Sequence, residues 1–264
     1  MYGFDYHRPT SLDEAAKLLA QAEDASPIAG GQTLLQSLKQ RLAQPSDLVD
    51  LGGLSELTGI KAEGDHVVIG ALTRHNEVAR SPEVRKTIPA LAQLAGMIGD
   101  DQVRNMGTIG GSIANNDPAA DYPAGLLGLG ATVITQQREI SADDFFVEMF
   151  ETALEPGEII KAVRFPVPKR AAYIKFPQPA SRYALVGVMV SEGSDGVRVA
   201  VTGAASSVFR VSAMEQALAG SFSADAIADI TVDPSELNAD LHGTPEYRAH
   251  LVNVLARRAV AAAG

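Results

Sequence analysis

A glycine-rich segment at residues 107–124 constrains the fold more than any other part of the chain. Two adjacent glycines, Gly110 and Gly111, precede an apolar run over residues 125–131 that we predict to be helical. Asp117 stands where the N-cap of that helix belongs, and Pro118 takes its first position. A glycine pair lets the backbone approach a ligand closely, and the free N–H groups at a helix N-terminus favour negative charge. The segment therefore predicts a phosphate-binding loop.

A purely structural turn is the alternative interpretation of this segment, because a glycine-rich turn before a helix needs no ligand. The segment, however, also carries the polar side chains of Ser112, Asn115, Asn116 and Asp121. These exceed what a turn requires, and they favour a binding site.

Composition argues against several classes of function. A net charge of -10 disfavours nucleic acid and anionic membranes as partners, since both require clustered Lys and Arg. The chain has no cysteine, which excludes a disulfide, a thiolate nucleophile and a Cys-ligated iron–sulfur cluster. The histidines show no metal-ligand spacing, so we expect no metal site. Without an apolar run of roughly 20 residues or a signal peptide, we expect a cytoplasmic protein.

A second glycine pair, Gly30 and Gly31, lies near the N-terminus. It follows a strand predicted over residues 26–29 and precedes a helix predicted to continue until Pro45. The pair lacks the Gly-x-Gly-x-x-Gly spacing of a dinucleotide fingerprint, so nothing here supports a Rossmann domain. Alone, it is a weak signal for phosphate binding.

The pattern of elements predicts an α+β protein in three parts. Strands and helices alternate up to about residue 167, where the character of the sequence changes. Beyond that point we predict strands at residues 173–176, 184–190 and 197–203, then helices at 213–219, 224–229 and 245–263. We therefore expect an N-terminal subdomain at residues 1–55, a second subdomain at 56–167 and a C-terminal α+β domain at 168–264.

Taken together, the two glycine motifs resemble those of the flavoprotein (medium) subunit of the molybdenum hydroxylases. This family includes the carbon monoxide dehydrogenase medium chain and the FAD domain of xanthine dehydrogenase. The resemblance rests on residues 29–35, on 108–112 about 80 residues later, and on the flanking segments 98–105 and 117–121. It implies a fold like that of vanillyl-alcohol oxidase, in which two subdomains cradle FAD. A three-stranded antiparallel sheet with a helical bundle would follow at the C-terminus.

The resemblance also assigns roles to individual residues. Both glycine motifs would offer neutral donors to the FAD pyrophosphate from opposite sides, and Asp121 would accept hydroxyls of the ribose or ribitol. Ile160 would contact the flavin ring, and Lys175 would place a cation near its pyrimidine edge. As lone residues, Ile160 also fits a core position and Lys175 a surface charge. The residues predicted to bind FAD are Ala29, Gly30, Gly31, Gln32, Thr33, Leu34, Gly99, Thr108, Ile109, Gly110, Gly111, Ser112, Asn115, Asp121, Ile160 and Lys175.

The function implied by the resemblance is electron transfer within a hetero-oligomer. A molybdopterin large subunit would oxidise the substrate, and an iron–sulfur small subunit would pass electrons to FAD on this chain, in a dimer of heterotrimers. The absence of cysteine agrees with this division, because the clusters must then reside on another polypeptide. Two alternatives stay open: a self-sufficient FAD-dependent oxidase or dehydrogenase, and a nucleotide-binding module without redox activity. The substrate, whether carbon monoxide, a purine, an aldehyde or an N-heterocycle, would be selected by the partner.

Overall fold

The computed structural model describes residues 1–264, and its N-terminal part is a three-stranded parallel sheet in which β1 (Asp5–His7) and β2 (Ala25–Ile28) flank β3 (Asp47–Asp50). Ser11 caps the first helix, since its Oγ accepts a hydrogen bond from Glu14 N at 3.2 Å, as the sequence predicts. The second helix ends earlier than expected, because Arg41 adopts a left-handed φ of 59° well before Pro45. The elements are β1 (Asp5–His7), α1 (Leu12–Gln21), β2 (Ala25–Ile28), α2 (Leu34–Lys39) and β3 (Asp47–Asp50), followed by 3₁₀ turns at Leu51–Gly53 and Ser55–Leu57.

The middle of the chain forms a five-stranded antiparallel sheet whose inner face carries the largest apolar core. Val67 and Phe165 pair across the sheet and are fully buried. The elements are β4 (Ile60–Glu63), β5 (His66–Gly70), α3 (His75–Arg80), α4 (Pro82–Thr87), α5 (Pro89–Gly96), α6 (Asp101–Met106), α7 (Ile109–Asn115), α8 (Asp121–Leu129), β6 (Thr132–Thr135), β7 (Glu139–Ser141), α9 (Ala142–Phe145), β8 (Phe146–Glu148), β9 (Glu151–Thr152) and β10 (Ile160–Pro166). The strand order is β4–β5–β10–β6–β7, and β8 pairs with β9 in a separate hairpin.

The C-terminal part is an antiparallel sheet covered by helices, with its own apolar core. We expected three strands, but a fourth strand of two residues pairs with the third. The helix predicted over residues 224–229 is only a 3₁₀ turn at Ala224–Ile227, and a second 3₁₀ turn follows at Pro234–Glu236. The elements are β11 (Arg170–Pro177), β12 (Ala184–Gly193), β13 (Gly196–Thr202), β14 (Phe209–Arg210), α10 (Ser212–Gly220) and α11 (Pro245–Ala263), with the strand order β11–β12–β13–β14.

The glycine-rich segment is more helical than the sequence predicts. Helix α7 begins inside it, and Thr108 rather than Asp117 acts as an N-cap. Asp117 was predicted to cap the next helix, and this is wrong: its carboxylate accepts from Ala119 N at 2.9 Å and closes a turn ahead of α8. The turn is needed because Asn116 ends α7 in the left-handed conformation, with a φ of 42°.

Helix α8 packs between the second and third sheets and contacts both. All of its residues are buried, as expected for a helix that is apolar on every side. A Cβ on Gly128 would lie 2.8 Å from Met189 Cβ, so this glycine allows α8 to pack closely on β12. No helix in the chain combines the length and the apolar character required to cross a membrane.

Candidate cofactor site

The two glycine motifs, which are far apart in the sequence, line one cleft of about 590 Å³. A Cβ on Gly30 would overlap the carbonyl oxygen of Met106 and lie 2.9 Å from Gly107 Cα. A Cβ on Gly111 would lie 3.8 Å from Ala29 Cβ. The motifs are therefore neighbours in space, and Gly30 is required for their close approach.

The first motif offers a row of free main-chain donors. The backbone N–H groups of residues 30–34 make no hydrogen bond within the chain. Gly31 adopts a left-handed φ of 68°, a conformation that glycine takes without strain. Consecutive N–H groups around a left-handed residue form a concave site that favours an anion.

The second motif offers mainly side chains rather than main-chain donors, contrary to our expectation. Of its N–H groups, only that of Thr108 makes no hydrogen bond within the chain. Ile109 N donates to Thr73 O at 3.1 Å, Gly110 N donates to Ala71 O at 2.8 Å, and Gly111 N donates to Thr108 Oγ1 at 3.2 Å. These bonds hold α7 against the end of β5. The groups left for a ligand are the hydroxyls of Thr108 and Ser112 and the amide of Asn115, none of which donates a hydrogen bond within the chain. Asn116 does not contribute, because its amide donates to the carbonyls of Glu148 and Glu151 at 2.8 Å each.

A buried carboxylate forms another part of the cleft wall. Asp121 is 4% exposed, and its Oδ1 accepts from the Tyr173 hydroxyl at 2.6 Å while its Oδ2 accepts from Lys175 Nζ at 2.8 Å. Burial raises the pKa of Asp121, and the ammonium of Lys175 opposes this rise. A carboxylate has about four lone-pair sites, so Asp121 keeps the capacity to accept from a hydroxyl in the cleft.

Ile98 and Ile160 are among the apolar residues that line the cleft, together with Tyr183 from the turn between β11 and β12. Ile160 is 6% exposed and belongs to the apolar core as well as to the cleft. Next to Tyr183, Arg182 donates from Nη1 to Gly99 O at 3.2 Å. This bond ties the C-terminal part of the chain to the cleft mouth.

All of the residues predicted to bind the cofactor line this cleft, except two. Ile109 is fully buried in the core, where it anchors α7. Lys175 was expected either at the flavin ring or on the surface. It is buried behind Asp121, where its ammonium also donates to Met97 O at 3.1 Å.

His75 lines the cleft but was not predicted, because a lone histidine at the start of a helix has no sequence signature. It is 4% exposed, and burial lowers the pKa of its imidazole to about 4, with the nearby charge of Arg104 acting in the same direction. Its ring lies 5.4 Å from that of Tyr122, and a Cβ on Gly107 would come within 2.6 Å of its Nε2. The neutral imidazole therefore packs against Gly107, the residue directly before the second glycine motif.

Glu158 is the other buried carboxylate of the cleft, and it is held by neighbouring groups. Arg138 donates to both of its oxygens at 3.0 Å, and the Thr135 hydroxyl donates at 2.8 Å. These hydrogen bonds hold its pKa at about 2 despite burial. Glu158 thus serves as a fixed anion that anchors the loop before β10.

Two family models cover the chain. The model described as "FAD binding domain in molybdopterin dehydrogenase" matches residues 2–168, and the one described as "CO dehydrogenase flavoprotein C-terminal domain" matches residues 171–263. These regions contain the two glycine motifs and the C-terminal sheet respectively.

Individual relatives match over almost their whole length. The nicotine 6-hydroxylase medium subunit of Paenarthrobacter nicotinovorans is 39% identical, with 98% of this chain and 96% of the relative covered. The carbon monoxide dehydrogenase medium chain of Hydrogenophaga pseudoflava is 36% identical, with 98% and 96% covered. Its solved structure, of a carbon monoxide dehydrogenase lacking the Mo-pyranopterin moiety of the cofactor, matches with a TM-score of 0.90 and 37% identity over 99% of this chain and 97% of that one. Quinoline 2-oxidoreductase from Pseudomonas putida 86 matches with a TM-score of 0.89 and 30% identity, over 99% and 97% of the chains.

These matches confirm the resemblance inferred from the glycine motifs. They extend over both FAD-binding and C-terminal regions, and the identities lie well above the level at which only a fold is shared. The chain belongs to the family of FAD-binding medium subunits of the molybdopterin dehydrogenases.

Proposed function

We propose that this chain is the FAD-carrying electron-transfer subunit of a cytoplasmic, heteromeric molybdenum hydroxylase. An iron–sulfur small subunit and a molybdopterin large subunit would complete the assembly as a dimer of heterotrimers. Support for partners comes from the relatives, which are named as medium chains or as subunits. The cleft would hold FAD, which would supply the chemistry that couples one-electron donors to a two-electron acceptor. The convergence of both glycine motifs on one cleft is the observation that carries the proposal.

The cleft fits a diphosphate without needing a lysine. The N–H groups of residues 30–34 would hold one face of it, and the side chains of Thr108, Ser112 and Asn115 would donate from the other. Gly30 and Gly110 leave no room for a Cβ, since one on Gly110 would lie 2.6 Å from Ala71 Cβ. Neutral donors arranged around a dianion avoid the desolvation cost of burying a cation beside it.

Asp121 and Ile160 would orient the remainder of the cofactor. Asp121 would accept hydroxyls of the ribose or ribitol, and Ile160 would give the flavin ring an apolar contact, since both residues line the cleft. Lys175 acts through Asp121: its ammonium keeps that carboxylate charged in a buried position and so keeps it an acceptor. Leu34 and Ala29 also line the cleft and would cover the pyrophosphate from the first motif.

We assign the chain to the vanillyl-alcohol oxidase type, with FAD-binding subdomains at residues 1–55 and 56–167 and a C-terminal domain at 168–264. Support comes from the three main sheets, which lie within residues 5–50, 60–166 and 170–210. The largest apolar core joins the second and third sheets, since it also includes Tyr173, Met189 and Ala200. The cleft opens between residues from all three parts.

The substrate is assigned to the partner rather than to this chain. The relatives are named for substrates as different as carbon monoxide, glyceraldehyde and caffeine, although each matches this chain over nearly its full length. Residues that contact FAD need not differ between relatives with different substrates, because the substrate would bind to another subunit. This explains how one medium-subunit fold serves several reactions.

The proposal is tested first by titrating the full chain with FAD and following the quenching of flavin fluorescence. We expect one FAD per chain, and an absence of binding would favour the nucleotide-module alternative. The chain is then coexpressed with a cysteine-rich small chain and a large molybdopterin chain. Substrate should bleach the flavin absorbance only in the assembled complex, whereas turnover by the lone chain would establish a self-sufficient flavoenzyme.

A further inference from the structure

The turn that precedes α8 is held by the C-terminal sheet. Three consecutive carbonyls, those of residues 118–120, accept hydrogen bonds from the ends of β12 and β13. Gly203 N donates to the first at 2.8 Å, Ala184 N donates to the second at 3.3 Å, and the Thr202 hydroxyl lies 2.6 Å from the third. The main chain directly before Asp121 is therefore positioned by hydrogen bonds from strands more than 60 residues later in the sequence.

Thr202 occupies a special place among these donors. Its hydroxyl has one hydrogen, and it lies closer to Ala120 O, at 2.6 Å, than to Pro118 O, at 3.0 Å. Pro118 O already accepts from a backbone N–H, whereas Ala120 O accepts from no other group in the chain. Thr202 is 1% exposed, so water cannot take over this bond if the hydroxyl is lost.

The carboxylate of Asp121 is bound by the same sheet. Tyr173 and Lys175, both on β11, donate to its two oxygens. The sheet thus fixes Asp121 twice, once through the peptide bond before it and once through its side chain. Asp121 lines the cleft, while Thr202 lies behind the wall and does not reach it.

We infer that Thr202 is a positioning residue for FAD, which acts by fixing the peptide between Ala120 and Asp121. The inference rests on the proposed binding of FAD in this cleft. Without the hydroxyl, the unsatisfied carbonyl of Ala120 turns toward another donor, and the carboxylate of Asp121 shifts with it. A shift of this kind weakens a hydroxyl contact in the cleft without altering the two glycine motifs.

Ser191 provides a matched control on the same sheet. Its hydroxyl donates to Gly128 O at 2.6 Å, and the residue is 3% exposed. This is again a buried hydroxyl–carbonyl bond to α8, but it lies at the opposite end of the helix from Asp121 and away from the cleft. Losing either hydroxyl should lower the melting temperature of the FAD-free protein to a similar degree.

The test measures the FAD dissociation constant and the visible circular dichroism of bound flavin for the full chain. Thr202→Val should raise the dissociation constant about tenfold and change the dichroism, while Thr202→Ser should stay within about twofold of the wild type. Ser191→Ala should bind FAD as the wild type does. Wild-type affinity in Thr202→Val, or equal weakening in Ser191→Ala, would refute the positioning role and leave the cofactor site standing. A wild-type chain that binds no FAD would refute both.

Discussion

Replacement of Gly111 by alanine should separate the stability of the chain from its affinity for FAD. Gly111 lies in the first turn of α7 and has an ordinary helical backbone. Alanine is favoured over glycine within a helix by roughly 0.5–1 kcal/mol. The added Cβ would meet no atom closer than Thr108 Oγ1 at 3.0 Å, so the packing can accept it with a small adjustment. We expect the melting temperature of the FAD-free protein to be unchanged or slightly raised.

The same methyl group points toward the first motif and would contact Ala29 Cβ at 3.8 Å, where both motifs line the cleft. If the FAD diphosphate lies against this part of the cleft wall, the methyl group displaces it and costs a hydrogen bond to a charged group, about 1.5–3 kcal/mol. The dissociation constant of FAD should therefore rise roughly 10- to 150-fold. Thermal unfolding of the FAD-free protein and fluorescence titration with FAD measure the two effects separately.

A second glycine serves as the control for this experiment. Gly220 ends α10, and a Cβ added there would have no neighbour within 4 Å. Gly220→Ala should leave FAD affinity unchanged, since this glycine lies far from the cleft. Wild-type affinity in Gly111→Ala would show that no phosphate lies against Gly111 in the cleft and would refute the proposed diphosphate site.

Two further predictions concern buried charge. Burial lowers the pKa of His75 to about 4, so the stability due to its neutral form is complete above about pH 6.5 and is lost as the pH falls toward 4. Urea unfolding should show that the free energy of unfolding falls by about 3 kcal/mol more in the wild type than in His75→Phe as the pH is lowered from about 6.5 to about 4. The same pH dependence of the free energy of unfolding in both proteins would contradict this. Lys175→Met leaves Asp121 buried without its counter-ion and should lower the free energy of unfolding by about 3–5 kcal/mol, more at pH 8 than at pH 5 because the pKa of Asp121 is raised. Lys169→Met, at an exposed ion pair with Glu192, should cost less than about 1 kcal/mol, and a similar loss in both variants would refute the counter-ion role of Lys175.

The sequence predicts the elements that have strong local signals. Ser11 caps α1 because its hydroxyl accepts a backbone N–H of the first turn, and Pro245 begins α11 because its ring fixes φ near the helical value. Gly31 turns between a strand and a helix because glycine takes a left-handed φ without strain. Helix α7 could not be predicted in the same way. It contains two glycines, which disfavour a helix in isolation, and it forms because Gly110 packs directly on Ala71.

The residues that line the site were easier to predict than the hydrogen-bonding groups that they leave free for a ligand. Glycine pairs mark both cleft-lining motifs, but the use of the N–H groups depends on tertiary contacts: Gly110 N donates to Ala71 O, and the equivalent groups of the first motif remain free. Lys175 could not be placed behind Asp121, because the two residues meet only when β11 packs on α8. The contribution of Thr202 could not be predicted either, because its hydrogen bond to Ala120 O joins distant parts of the chain that no sequence motif links.

The central claim is that the two glycine motifs hold one diphosphate, and the structure of the chain determined with FAD bound tests it most directly. We predict that the diphosphate oxygens accept hydrogen bonds from the N–H groups of residues 30–34 on one side. On the other side they should accept from the hydroxyls of Thr108 and Ser112. A diphosphate bound elsewhere, with solvent beside Ala29 and Gly111 in the cleft, would contradict this claim.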